Sequence, residues 1–232
     1  MSSKEGMPVR KRFWAFVAAT ALAAVLGVSC VSLKGVTKLT YRVEVRQGQS
    51  VQQGTLAIAF TPSGGDWSIS VHYKLDGEEF STTLTTQGET REEALFSTLL
   101  MHPSLGALLG PIMAAQGVYL SLAGVTQGQP EVGFLWRSRD AEGREMEISI
   151  PSSEQRFGRE AIWIVVKVAE EVTTRLLMEK QSLIPLVVDF AEDQQKFYCE
   201  AQEVQWQENN AEEKDDYETG LPLWTKATCQ AL

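Results

Sequence analysis

Apolar residues recur at every second position in one segment after another, and this alternation limits the chain to a few architectures. Tyr41, Val43 and Val45 alternate with Arg42, Glu44 and Arg46. Leu56, Ile58 and Phe60 alternate with small residues, and Trp67, Ile69, Val71 and Tyr73 with Ser68, Ser70, His72 and Lys74. Phe80, Thr82 and Leu84 continue the pattern. A period of two places all the apolar side chains of a strand on one face. Gln47-Gly48-Gln49, Pro62 to Asp66 and Asp76-Gly77 separate the runs with turn-forming residues. Connections this short join antiparallel neighbours, so residues 41–84 are expected to form a meander with one greasy face and one wet face.

The second half resumes the alternation at Val132, Phe134 and Trp136, then at Met146, Ile148 and Ile150. Ala161 to Val168 is apolar at nearly every position and reads as a central strand, covered on both faces. Val172 to Met178, Ile184 to Phe190, Phe197 to Val204 and Leu221 to Cys229 complete a set of about eleven strands. Asn209 to Glu218 is acidic and reads as a solvated loop. No repeat of 20–50 residues is visible.

A different segment lies between the two strand sets. Thr90 and Glu93 make a capping box ahead of Ala94, Leu95 and Leu99, which predicts a helix over about 91–101 that ends before Pro103. Ser104 to Ala123 is a second apolar stretch, broken by Gly106, Gly110, Pro111 and Gly117. No Asp, Glu, Lys or Arg occurs from Ala94 to Pro130. Three readings stand side by side: a helical layer over the greasy sheet face, a membrane-inserting hairpin or span, and a lid over a cavity.

The first 30 residues read as an export signal. Lys4, Arg10, Lys11 and Arg12 precede an uncharged apolar run from Phe13 to Val28. At about 16 residues the run is short for a spanning helix, which needs about 20. It ends at Gly27-Val28-Ser29-Cys30, where small residues precede a cysteine. Lipidation of Cys30, plain secretion and an uncleaved anchor are the alternatives. Cleavage before Cys30 takes away four basic residues and Glu5, leaving 203 residues with a net charge of −12. The expected layout is a signal at 1–29, an anchor and short linker at 30–36, and one β-rich domain at 37–232 with a helical insertion at 90–124. Cys199 and Cys229 would remain as an even pair in an oxidising compartment. Bonded, they would close a loop of about 30 residues and contribute about 3–4 kcal/mol; two buried thiols are the alternative.

Composition removes several functions. The net charge of −9 argues against nucleic-acid binding, which needs clustered Lys and Arg. Two histidines argue against a multi-His metal site. His72 falls on the wet face of a strand, and His102 precedes Pro103 at a helix end, where an imidazolium suits the dipole. GxSxG, Walker A, GxGxxG and HExxH are all absent. Acidic pairs such as Glu78-Glu79 and Asp215-Asp216 read as solvated. No enzymatic activity, catalytic residue, metal or cofactor is expected.

The hairpin from Thr173 through Leu176, Glu179, Ser182 and Pro185 to Leu186 resembles the strand, turn and leucine–x–proline–leucine return of the LolA/LolB-like half-barrel lipoprotein carriers. Tyr217 to Leu223 echoes the same turn, and Gly27 to Cys30 resembles the lipobox of bacterial lipoproteins. The resemblance covers about 37–229 in layout. It implies a mainly β (α+β) fold, a half-barrel-like antiparallel sheet of about eleven strands with a helical insertion covering one face. It also implies a function: a lipid-anchored protein of the bacterial envelope, facing the periplasm or the extracellular side, that binds or carries a lipid or lipoprotein acyl chain. Val31 after Cys30, rather than Asp, implies outer-membrane sorting. The expected lining is Trp67, Tyr73, Phe134 and Trp136 from the sheet, with Leu99, Leu108 and Ile112 from the cover. The partners are then the membrane, through the N-terminal lipid, and an acyl-chain ligand. The alternative is an envelope-assembly lipoprotein with a filled core that binds another protein.

Overall fold

In the computed structural model the described residues are 35–64, 66–86, 95, 103–126, 130–139, 143–192 and 195–207. The expected export signal, Cys30, Leu99, His102, Cys229 and most of the expected helix at 91–101 lie outside them. Eleven strands and one helix are described. The first four strands are β1 (Val36–Gln47), β2 (Ser50–Ser63), β3 (Asp66–Leu75) and β4 (Glu78–Thr86). The helix α1 (Pro103–Thr126) follows. Then come β5 (Leu135–Arg139), β6 (Glu145–Ser149), β7 (Ser153–Arg156), β8 (Arg159–Val168), β9 (Glu171–Glu179), β10 (Pro185–Glu192) and β11 (Gln195–Trp206).

The strands form one antiparallel sheet in the order β4-β3-β2-β1-β11-β10-β9-β8-β6-β5, with β7 paired to β8. Two meanders meet where β1 pairs with β11, from Val36 opposite Trp206 to Gln47 opposite Gln195. The sheet is open, with β4 and β5 as its edges. The chain therefore passes from one edge to the other between β4 and β5. Nine strand spacings put those edges about 43 Å apart along the sheet. A helix of 24 residues is about 36 Å long, so α1 alone can span most of the sheet's width.

Local chemistry explains the tight connections. Asp76-Gly77, Phe157-Gly158 and Ala169-Glu170 are two-residue hairpin loops with positive φ at both positions, the turn whose twist matches the flanking strands. Gly54 is required for a different reason. A Cβ there would lie 1.8 Å from the Lys74 carbonyl oxygen, so only glycine lets β2 and β3 approach this closely.

The sequence reading reaches the right number of strands by a partly different set. Leu221 to Cys229 lies outside the described residues, and β7 takes its place in the count. β7 continues β6 along the same edge of β8. Ser149 pairs with Val165 and Ser153 with Ile162, so four steps on one strand match three on the other. The extra residue is a bulge containing Pro151, where a missing N–H costs no ladder bond. The polar Ser-Glu-Gln-Arg of β7 gives no alternation signal. Val132 lies in a turn and β5 begins at Leu135 rather than Val132.

Register aligns the apolar positions into one continuous inner face. Phe80, Tyr73, Leu56 and Tyr41 lie opposite one another across β4 to β1. Val43, Cys199, Val188, Leu176 and Ile164 continue the row across β1, β11, β10, β9 and β8. Leu56, Ile69, Val71, Ile164, Leu176 and Val188 are fully buried there. One core cluster joins this face to Leu95 and to Leu109, Ile112, Ala115, Tyr119 and Leu122 of α1. Of the three readings of the uncharged segment, the structure shows a helix layered against the sheet, nearest to β9 and β10.

Candidate functional site

The site is the interface between the inner face of the sheet and α1. On the helix, Ile112, Ala115, Gln116 and Tyr119 fall at spacings of three and four and are all buried, so they share one stripe. Among the described residues of α1, none is exposed. Pro111 stands inside the helix, where it removes a ladder hydrogen bond and provides a point of bending.

A polar contact ties the helix to the sheet at the β9–β10 turn. Gln116 Nε2 donates to the Leu183 carbonyl at 3.1 Å. The turn is built around Glu179, whose residue is fully buried. Its carboxylate accepts from the backbone N–H of Gln181 at 3.1 Å and from both the backbone N–H and the hydroxyl of Ser182. Arg159 Nη1 lies 3.9 Å from the same carboxylate. A buried carboxylate is tolerable only when hydrogen bonds and a countercharge replace its water, and here both are present. The Glu179 N–H donates to the Ile184 carbonyl, which closes the turn, and Leu183 adopts a φ of +57° within it. Tyr41 Oη donates to the Pro185 carbonyl at 2.9 Å and pins β1 to the start of β10. Burial pushes the Tyr41 hydroxyl well above the ordinary phenol range.

Tyr119 is different. It is 2% exposed, and its hydroxyl has no hydrogen-bond partner among the described residues. Burial first, and then the negative charge of Glu179, push its pKa up, so the phenol stays protonated and available as a donor.

The residues expected to line a ligand site divide. Trp67 and Tyr73 lie half-buried on the inner face of β3, and Tyr73 stacks on Phe80 with ring centroids 5.5 Å apart. Ile112 lies on the buried stripe of α1. Phe134 packs half-buried against the core, and Trp136 sits half-buried on β5. β3 and β5 stand eight strand spacings apart, about 38 Å along the sheet, so these aromatics come from opposite ends of the face, and Trp67, Tyr73 and Phe134 pack against the same core cluster. Leu108 lies within α1, and Leu99 is outside the described residues. Cys199 is on the inner face, fully buried, with a free thiol. Burial raises its pKa far above the ordinary thiol range. The sequence reading missed the polar group of Tyr119, Glu179, Ser182 and Arg159. Its signal was faint: Gln116 and Tyr119, three residues apart in an otherwise apolar stretch, and a glutamate at the end of an apolar strand.

The opposite face carries ion pairs. Glu147 is paired with Arg137 and Lys167, and Arg42 with Glu200. Arg156 bridges Glu154 and Glu200, and Trp163 Nε1 donates to Glu154 at 3.0 Å. His72 is on this face beside Glu79 at 3.7 Å, solvated as its strand position implies. Apart from these pairs, the Arg159 guanidinium that faces Glu179 stacks 3.6 Å over the ring of Trp206, which packs against the core.

No protein-family model matches the chain, and no curated protein does. Solved structures do. The structure of MucB in complex with MucA(peri) is 10% identical with a TM-score of 0.36, over 82% of this chain and 56% of that one. The Pseudomonas aeruginosa MucA/MucB complex gives 9% and 0.35 over the same shares. A LolA-superfamily protein from Nitrosomonas europaea gives 4% and 0.21, over 83% of this chain and 96% of that one. The chain spans little more than half the length of the MucB chains in those complexes. Its own topology is an open antiparallel sheet of eleven strands with a helix layered on the apolar face, as expected from the sequence.

Proposed function

We propose that this is an exported envelope protein, anchored through a lipid on Cys30, that binds or carries a lipid or lipoprotein acyl chain between α1 and the inner face of the sheet. The role is binding, without catalysis. One observation supports it above the others. The face and its helical cover meet largely through apolar side chains, with a polar tie between Gln116 and Leu183. Such surfaces part to admit a hydrocarbon without breaking many hydrogen bonds, and each CH₂ that enters gains about 0.8 kcal/mol. The basic start and apolar run before Cys30 support export.

Ala115 offers the test, because it is fully buried on the helix stripe. In a carrier, Ala115→Phe occupies space meant for the acyl chain. Copurifying lipid is then lost while the denaturation midpoint holds. In a filled core the same change overpacks and destabilises by about 1–3 kcal/mol, with no lipid to lose.

A second reading, binding of another envelope protein, is favoured by the β5 edge. Leu135 on that strand and Val132 just before it are each 52% exposed, and an unpaired edge can accept an added strand.

A further inference from the structure

We propose that the Tyr119 hydroxyl is the polar contact of the acyl site, donating its hydrogen bond to the carbonyl oxygen of an ester or amide attached to the bound chain. This rests on the acyl-binding reading above and adds the chemistry of the group that the site selects. Three observations lead to it. Tyr119 is 98% buried, and its hydroxyl has no partner among the described residues. A phenylalanine would fill nearly the same volume without leaving a buried donor unmet, which costs about 1–3 kcal/mol. Next, the hydroxyl lies on the buried helix stripe that also carries a polar contact to the sheet. Gln116, one turn earlier on the same stripe, is bonded to Leu183 of the β9–β10 turn. Finally, the surrounding groups are already committed. The Glu179 carboxylate is taken by Gln181, Ser182 and Arg159, and the Gln116 amide by Leu183.

Arg159 is already paired with Glu179, so it is not free to offset an anionic phosphate or carboxylate, whereas a neutral carbonyl oxygen needs no countercharge. A protonated phenol donates to such an oxygen well. The geometry thus fits the linkage that joins a fatty chain to glycerol or to an amino group, with the chain lying along the apolar face.

The probes are 1-decanoylglycerol and 1-O-decylglycerol, which differ only in the carbonyl. Each is titrated by calorimetry into the full chain and into Tyr119→Phe. The native chain is expected to bind the ester about three- to tenfold more tightly than the ether, the range of one neutral hydrogen bond. Tyr119→Phe should lose that preference while binding the ether as before, with an unchanged or higher melting temperature. A preference that survives in Tyr119→Phe, or is absent from the native chain, overturns the inference and assigns the hydroxyl to an ordered water. Binding of neither probe overturns the acyl reading itself, and this inference with it. A readout independent of the variant is the infrared band of the ester carbonyl, labelled with carbon-13, in the native complex. It is expected below its frequency in alkane solvent, and an unshifted band contradicts the assignment.

Discussion

At the residue scale the most consequential side chain is Glu179. It places a carboxylate in the interior and gathers three donors from Gln181 and Ser182, with Arg159 as countercharge. The carboxylate therefore sets the shape of the β9–β10 turn, and the turn holds the helix through Leu183 and Gln116. Glu179→Ala removes the acceptor and leaves those donors buried. A loss of about 3 kcal/mol is expected, read as a lower midpoint in urea denaturation. A change within about 0.5 kcal/mol would show that the turn holds its shape without the carboxylate. Little in the sequence warns of this. A glutamate at the end of an apolar strand reads as the first residue of a solvated turn, and only the fold reveals that it is buried in the turn that holds α1.

At the element scale, alternation proved sufficient for long strands and silent for short ones. β1 to β4 and β8 to β11 each bury enough period-two positions to announce themselves. β7 is four polar residues that exist as a strand because β8 offers a ladder beyond the Pro151 bulge. Turn chemistry was similarly uneven. Asp76-Gly77 states its turn in the sequence, whereas Ala169-Glu170 adopts φ values of +52° and +70° without a glycine or an asparagine. The tight link between β8 and β9 imposes those values, at a cost for residues bearing a Cβ. Glu170→Gly should therefore stabilise the protein by about 1 kcal/mol, less the added freedom of the unfolded chain. Thermal unfolding checks it, and a lower melting temperature would mean that the loop is not strained. The uncharged segment was the hardest element to place. Its composition suits a cover, a membrane insertion and a lid, because all three require apolar residues without charge; contact with β9 and β10 shows a helix layered on the sheet.

At the scale of the whole molecule, one face is apolar and the other is laced with ion pairs, so stability and acidity are linked through the outer face. The hydrogen bond from Trp163 and the Arg156 guanidinium hold Glu154 below the usual carboxylate range. Lys167 and Arg137 do the same for Glu147, and Lys38 and Gln205 for Glu203. Carboxyls lowered in the folded state contribute stability above their unfolded pKa of about 4.5. That contribution is lost as pH falls through the lower folded values. Folding stability should therefore be steady from neutral pH to about 5 and decline below it, and Glu154→Gln should make the decline shallower. A profile that rises on acidification would contradict these assignments. Topology accounts for what the sequence reading of the site missed. The strand pattern put Trp67 and Tyr73 on the inner face, where β3 carries them. The strand order, which places Trp67 and Trp136 near opposite edges, follows from the pairing of β1 with β11, and no local signal encodes that pairing. The function assigned to the face depends on whether it is filled by side chains alone or shared with a ligand. Native mass spectrometry of the full chain, before and after organic extraction, separates the two most directly. The account predicts a discrete extractable mass of a few hundred daltons that carries an ester or amide carbonyl. A chain whose mass is unchanged by extraction, and which takes up no added acyl lipid, would contradict it and leave the β5 edge and a protein partner as the better reading.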